Sequence, residues 1–196
     1  MLFGVPSVRR RRAPPERPAR ADPGMLRLIG ALDHVPVLLL GRRSEVLARN
    51  ALLTAVLGTP MEPGSSFAHW LFLDPDARAR IVNWADFASA AVGALRYEIG
   101  RHPDDRRLAE QIDELRRRDA DVDRWWADQR VTFRTSLAKH ISHPTAGPLS
   151  FGIESVTGPH DPEQRLVDYT VEPGSPTAQA LPFLASRGGL PAAHFD

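Results

Sequence analysis

Asn83-Trp-Ala-Asp-Phe-Ala-Ser-Ala-Ala-Val-Gly-Ala-Leu95-Arg-Tyr-Glu-Ile99-Gly100-Arg-His-Pro103-Asp-Asp-Arg-Arg-Leu108, running on to Asp123-Arg-Trp-Trp-Ala-Asp-Gln-Arg-Val131, decides how this chain folds. Trp84, Phe87, Ala88, Ala91, Val92, Leu95 and Ile99 fall on one side of a 3.6-residue period, which predicts a helix from Asn83 to about Ile99 with Gly100 as its stop. Pro103 at a first helical position, with Asp104 and Asp105 near the positive end of the dipole, predicts a second helix that buries Leu108, Ile112 and Leu115. Asp119 then caps a short helix presenting Val122, Trp125 and Trp126. At Val131 the period falls to two: Val131, Phe133, Thr135 and Leu137 alternate with polar residues, and so do Leu149, Phe151 and Ile153, then Val167, Tyr169 and Val171. Helices hand over to three antiparallel strands. The turns between them are His143-Pro-Thr-Ala-Gly147 and Gly158-Pro-His-Asp-Pro162.

Upstream, Met25 to Leu32 predicts a short helix, and the apolar run Val35 to Leu40 a buried strand. Gly41-Arg-Arg turns the chain into a second strand, Ser44 to Arg49, completing a hairpin. Asn50 caps a helix carrying Leu52, Leu53, Val56 and Leu57 that Gly58 stops. Ala68 to Ile81 offers two helical turns separated by Asp74-Pro75. Downstream of the last strand, Ser175 caps a helix from about Pro176 to Ala185. A hairpin, a block of helices and three strands make an α+β domain: a PAS-like five-stranded antiparallel sheet with helices packed on one face.

A chain of 196 residues holds one domain with a real core. Residues 1–24 contain five prolines and six arginines, four of them consecutive at Arg9 to Arg12, and lack periodicity, so they are expected to be a disordered basic linker. Residues 25–186 are the expected domain and 187–196 a tail. The linker's six arginines against Glu16 and Asp22 give +4, which leaves −3 for the rest of a chain whose total is +1. A mildly acidic body lacks the positive face that phosphate contacts require, so DNA binding is not expected of it. Cysteine is absent, which excludes disulfides, thiolate metal sites and cysteine nucleophiles. No apolar run approaches membrane-spanning length and no signal segment is present, so a cytoplasmic protein without membrane contact is expected.

Motifs for chemistry are missing. There is no Gly-x-Ser-x-Gly elbow, phosphate-binding loop or dinucleotide fingerprint, and an enzyme is not expected. His140-Ile-Ser-His143 straddles a strand end and a turn without a third ligand, so His143 is expected to serve the turn rather than a metal. Asp119, Asp121 and Asp123 alternate as in a calcium loop but lack its glycine and distal glutamate; capping and solvation explain them.

Asn83 to Val131, His143-Pro144, Gly147-Pro-Leu149 and Tyr169-Thr-Val-Glu-Pro-Gly-Ser-Pro together resemble, in order and spacing from about Met25 to Ser186, the ligand-binding domain of the MmyB-like transcription regulators. The resemblance implies a PAS-like sensor for a lipid-like effector, downstream of an XRE-type helix-turn-helix. No DNA-reading helix fits into 24 residues so rich in proline and arginine, so Met1 is read as the start of a shortened gene product, an internal start or a mis-assigned start codon. The expected partners are therefore an apolar small molecule, a second copy in a homodimer, and DNA only through the absent reader. No cofactor is expected beyond a bound fatty acid.

On this resemblance the aromatic residues that converge between helices and sheet become candidate pocket walls: Trp70, Phe72, Trp84, Phe87, Trp126, Phe133 and Phe151, with Leu95 beside them. Two arginines are candidate anchors for an acidic head group. Arg96 ranks first because the family pattern has an arginine there, shortly before Gly-Arg-His-Pro, although at about 100° per residue it lies roughly 95° from the centre of the apolar face and Glu98 only about 60°. Arg134, on the polar alternate of its strand, is second. Arg49 departs from the pattern, which has an aromatic residue before the asparagine. The competing function is a PAS-like dimerisation or interaction module with a closed core and no ligand.

Overall fold

In a computed structural model that describes residues 19–128, 137–158 and 160–187, helices begin and end largely where capping chemistry dictates. Asp22 accepts the Gly24 and Met25 amides to open α1 (Pro23–Ala31). Asn50 opens α2 (Ala51–Leu57), and Gly58, at φ 66°, closes it in a left-handed conformation. Glycine is doubly required there, since an added Cβ would lie 1.8 Å from Arg80 Nη1. Ser66 and Asp74 cap α3 (Phe67–Leu73) and α4 (Pro75–Arg80). The long helix α5 spans Trp84–Arg101, followed by α6 (Arg106–Arg118), α7 (Ala120–Ala127) and, after the last strand, α8 (Pro176–Arg187).

The strands β1 (Val37–Leu40), β2 (Val46–Arg49), β3 (Leu137–His143), β4 (Gly147–Thr157) and β5 (Arg165–Thr170) form one antiparallel sheet in the order β2-β1-β5-β4-β3. The hairpin and the three later strands thus meet edge to edge through β1 and β5, as an α+β architecture requires. Alternation along β1 divides the core: Leu38 and Leu40 join residues of α2 to α8, whereas Val37 and Leu39 join Leu166, Met25 and Ile29. The helices after β2 therefore share one face, while α1 lies on the other. Among the described residues no helix is long and apolar enough to cross a membrane.

Three local expectations are corrected. Gly100 does not stop α5, which continues to Arg101 with His102 as its C-cap; a helical glycine costs only about 1 kcal/mol, less than the intact ladder provides. Pro103 precedes α6 instead of opening it, because Asp105 is the cap: its carboxylate accepts the Leu108 amide at 3.1 Å while holding Arg43 Nε at 2.8 Å and Arg42 Nη2 at 3.0 Å. Burial raises the Asp105 pKa, but the Arg43 and Leu108 hydrogen bonds and the two arginine charges outweigh it and hold the carboxyl below its usual range. His140-Ile-Ser-His143 does not straddle a strand end, since β3 continues through it with every residue paired to β4. The earlier part of the expected strand, Val131 to Ser136, falls outside the described residues.

Two asparagines fix how helices meet the sheet. Asn50 Oδ1 accepts from the amides of Leu53 at 3.0 Å and Val37 at 3.3 Å, and its Nδ2 donates to the carbonyls of Leu32 and Val35, each at 2.6 Å. Asn83 precedes α5 but does not cap it; its amide bonds the edge of β3, donating to Ala138 O and accepting from His140 N, both at 2.9 Å. The neighbouring Val82 amide adds a bond to His140 O at 2.8 Å. Asn50→Ala removes a cap and strands two carbonyls, and should lower unfolding stability by about 2–3 kcal/mol in urea titrations at unchanged m.

Candidate functional site

The site is a gap that α5 leaves above the sheet. On the α5 side it is bounded by Phe87, Ala90, Ala91, Ala94, Tyr97, Glu98 and Arg101. Opposite are Leu137 of β3, Ile153 and Ser155 of β4, Arg165 and Val167 of β5, and Leu40 of β1, with Phe67 of α3 also on the wall. The volume is about 710 Å³, within the roughly 300–1,000 Å³ usual for small-molecule sites. Its origin is steric: three alanines face branched and aromatic residues across the gap, and one methyl each cannot fill the space. Charged groups at Arg101, Glu154 and Arg165 make part of the rim polar, and Tyr97 is 53% exposed.

Behind Phe67 and Phe87 stands Lys139, the only lysine in the chain and fully buried. Its place follows from alternation along β3, where Lys139, Ile141 and His143 are buried and Ala138, His140 and Ser142 exposed. The Nζ lies 4.1 Å from the centre of the Phe87 ring, 5.4 Å from Phe67, 5.4 Å from Trp70 and 5.0 Å from Tyr169. One hydrogen bond joins it to the Tyr169 hydroxyl at 2.9 Å. No carboxylate pairs with it among the described residues. Burial alone lowers its pKa from 10.5 to about 7 and raises that of Tyr169.

The predicted site residues are dispersed. Phe87 lines the cavity. Trp70, Phe72, Trp84, Leu95 and Phe151 are buried in the main core, Trp84 donating its indole N–H to Leu71 O at 2.9 Å. Trp126 packs against that core, 5.3 Å from the Arg96 guanidinium. Arg96 turns away from the cavity: it donates to the carbonyls of Trp125 at 3.0 Å, Trp126 at 2.5 Å and Asp128 at 3.2 Å, at the end of α7. Phe133 and Arg134 lie outside the described residues. Glu98, which spacing placed nearer the core than Arg96, is indeed buried and on the cavity wall.

Two signals in the sequence bear on this site. The row Ala90, Ala91 and Ala94 on a helix otherwise facing large residues marks a void, and a lone lysine in phase with Ile141 marks a buried amine. The alternating set named for that strand, Val131 to Leu137, stops two residues short of the lysine. His143 does serve the turn, accepting at Nδ1 from the amides of Thr145 at 3.2 Å and Ala146 at 3.0 Å. Asp119, Asp121 and Asp123 are engaged by Arg78, Arg124 and Arg116.

Comparison with protein families matches residues 21–184 to the MmyB-like transcription regulator ligand binding domain. No curated protein matches the chain.

Two measurements test the electrostatics. Between pH 7 and 10.5 the unfolded chain holds a proton at Lys139 that the folded one has released. Stability should thus rise with pH from 7 toward 9, by up to about 1.4 kcal/mol per unit, and urea titrations of Lys139→Met should lack this slope. Arg96→Ala should lower stability by about 1–3 kcal/mol by leaving three carbonyls without their donor, read in the same titrations at pH 7.

Proposed function

The chain belongs to the family of MmyB-like transcription regulator ligand-binding domains, and from that premise we propose a non-catalytic, PAS-like sensor whose effector is an apolar, fatty-acid-like small molecule. The observation that carries this reading is the cavity of about 710 Å³ between α5 and the sheet, walled by Phe67, Phe87, the three alanines, Leu137, Ile153 and Val167. Burying about a dozen methylenes at roughly 0.8 kcal/mol each offers on the order of 10 kcal/mol gross, enough to leave useful affinity after the cost of association. A closed interaction module would have a filled core, so the gap favours the sensor over that alternative. The strand order β2-β1-β5-β4-β3 supports the PAS-like part of the reading.

Occupancy has a physical route to an output. Leu40 and Val167 touch the cavity, and their strand neighbours Leu39 and Leu166 hold α1 on the opposite face. Any spreading of β1 and β5 by ligand reaches α1, the first described helix. In this reading DNA recognition belongs to an XRE-type helix-turn-helix outside residues 21–184, and the protein works in the cytoplasm.

Denaturing extraction of the purified protein followed by mass spectrometry should reveal an acyl species, and palmitate should raise the melting temperature of stripped protein. Ala94→Trp fills the gap and should abolish the palmitate shift while the protein still melts cooperatively. Absence of both an extracted acyl species and any shift with palmitate or hexadecanol overturns the reading.

A further inference from the structure

Lys139 is placed where a merely structural residue would be costly. A buried ammonium without a counter-ion destabilises the fold by several kcal/mol, and methionine would fill the same space without that cost. The groups facing its Nζ are rings and donors: Phe67 and Trp70 from α3, Phe87 from α5, and Tyr169 from β5, beside which Phe151 of β4 packs edge-on at 5.6 Å. The Trp70 indole N–H is buried and has no hydrogen-bond partner among the described residues. Lys139 can donate three N–H bonds and among the described residues shows one, to Tyr169. An amine, a hydroxyl and an unpaired indole N–H thus belong to one group of packed side chains, no carboxylate pairs with the amine among the described residues, and Phe67 and Phe87, whose rings flank the amine, also bound the cavity. The charged side chains bounding the cavity, Glu98, Arg101, Glu154 and Arg165, make no hydrogen bond or ion pair with the lysine.

We propose that Lys139, Tyr169 and Trp70 form a receptor for the anionic head group of an amphiphilic acid whose tail occupies the cavity, reached when Phe67 and Phe87 part. This rests on the sensor reading and specifies it: the head group enters between Phe67 and Phe87, and the rim arginines Arg101 and Arg165 do not read it. The acceptor that the donor cluster lacks is supplied by the ligand, whose charge compensates the ammonium. Because the free amine titrates near 7, binding of an acid above that pH draws a proton onto Lys139.

Palmitate and hexadecanol are the probes, titrated calorimetrically into stripped protein at pH 6.5, 7.5 and 8.5 in two buffers of different ionisation enthalpy. Palmitate affinity should fall by about tenfold per pH unit above 7 with matching proton uptake, while hexadecanol affinity stays flat. Lys139→Met should weaken palmitate more than tenfold, remove its pH dependence and spare hexadecanol. Tyr169→Phe, a milder change that keeps the ring, should weaken palmitate by several-fold and serves if the first variant does not fold. Equal effects on acid and alcohol, pH-independent palmitate binding, or a selective loss of palmitate in Arg101→Ala or Arg165→Ala instead would overturn the receptor while leaving the sensor reading intact. If neither probe binds wild-type protein, the sensor reading fails and this inference with it.

Discussion

The bond pair between Asn83 and the edge of β3 is the constraint on which the rest of the site depends. An asparagine ahead of a helix would ordinarily cap it, yet this one satisfies a carbonyl and an amide of an edge strand, and the helix starts without a side-chain cap. With the adjoining Val82 bond, the start of α5 is fixed against β3 in one register. Phe87, one turn into the helix, consequently lies over Lys139, and Ala91 and Ala94 follow along the gap. A shift of α5 by one residue would rotate its face by about 100° and carry the alanines off the sheet. The cavity is therefore a product of anchorage at one end of a helix and small side chains along it.

The same geometry concentrates an unfavourable feature. Natural cores dispose of charge by pairing it, as this domain does around Asp105, where Arg42 and Arg43 surround a carboxylate that also caps α6. At Lys139 the opposite arrangement holds: aromatic faces supply some electrostatic compensation, a hydroxyl supplies one bond, and burial presses the amine toward neutrality. The contrast between two buried charged sites in one small domain shows that pairing was available to this fold.

Both faces of the sheet carry load, which distinguishes the architecture from a sheet with one covered side. Alternate residues of β1 and β5 belong to different clusters, so the strands that floor the cavity also seat α1. A sheet so shared transmits displacement from one face to the other through the backbone of two strands, without need of a longer path.

The sequence by itself determined most of the elements, because caps and periodicity are local: Asn50, Asp74, Asp119 and Ser175 each name a helix start, and the alternation through Leu149, Phe151 and Ile153 and through Val167 and Tyr169 names two of the strands. It determined the α+β class and carried the family resemblance that the matched residues 21–184 bear out. Even the burial of Glu98 was legible from its angle on the helix. What only the tertiary structure decided was which faces meet. Arg96 is drawn to the carbonyls at the end of α7, a contact between helices about thirty residues apart that no spacing encodes. Trp70, Phe72 and Phe151 pack with the core, whereas Ala91 and Ala94, unremarkable as letters, border the space that remains. Lys139 shows the division most clearly: alternation can turn a side chain inward, but the aromatic faces come from three other elements, α3, α5 and β5, and only their assembly surrounds the amine with rings and leaves it without a carboxylate partner among the described residues.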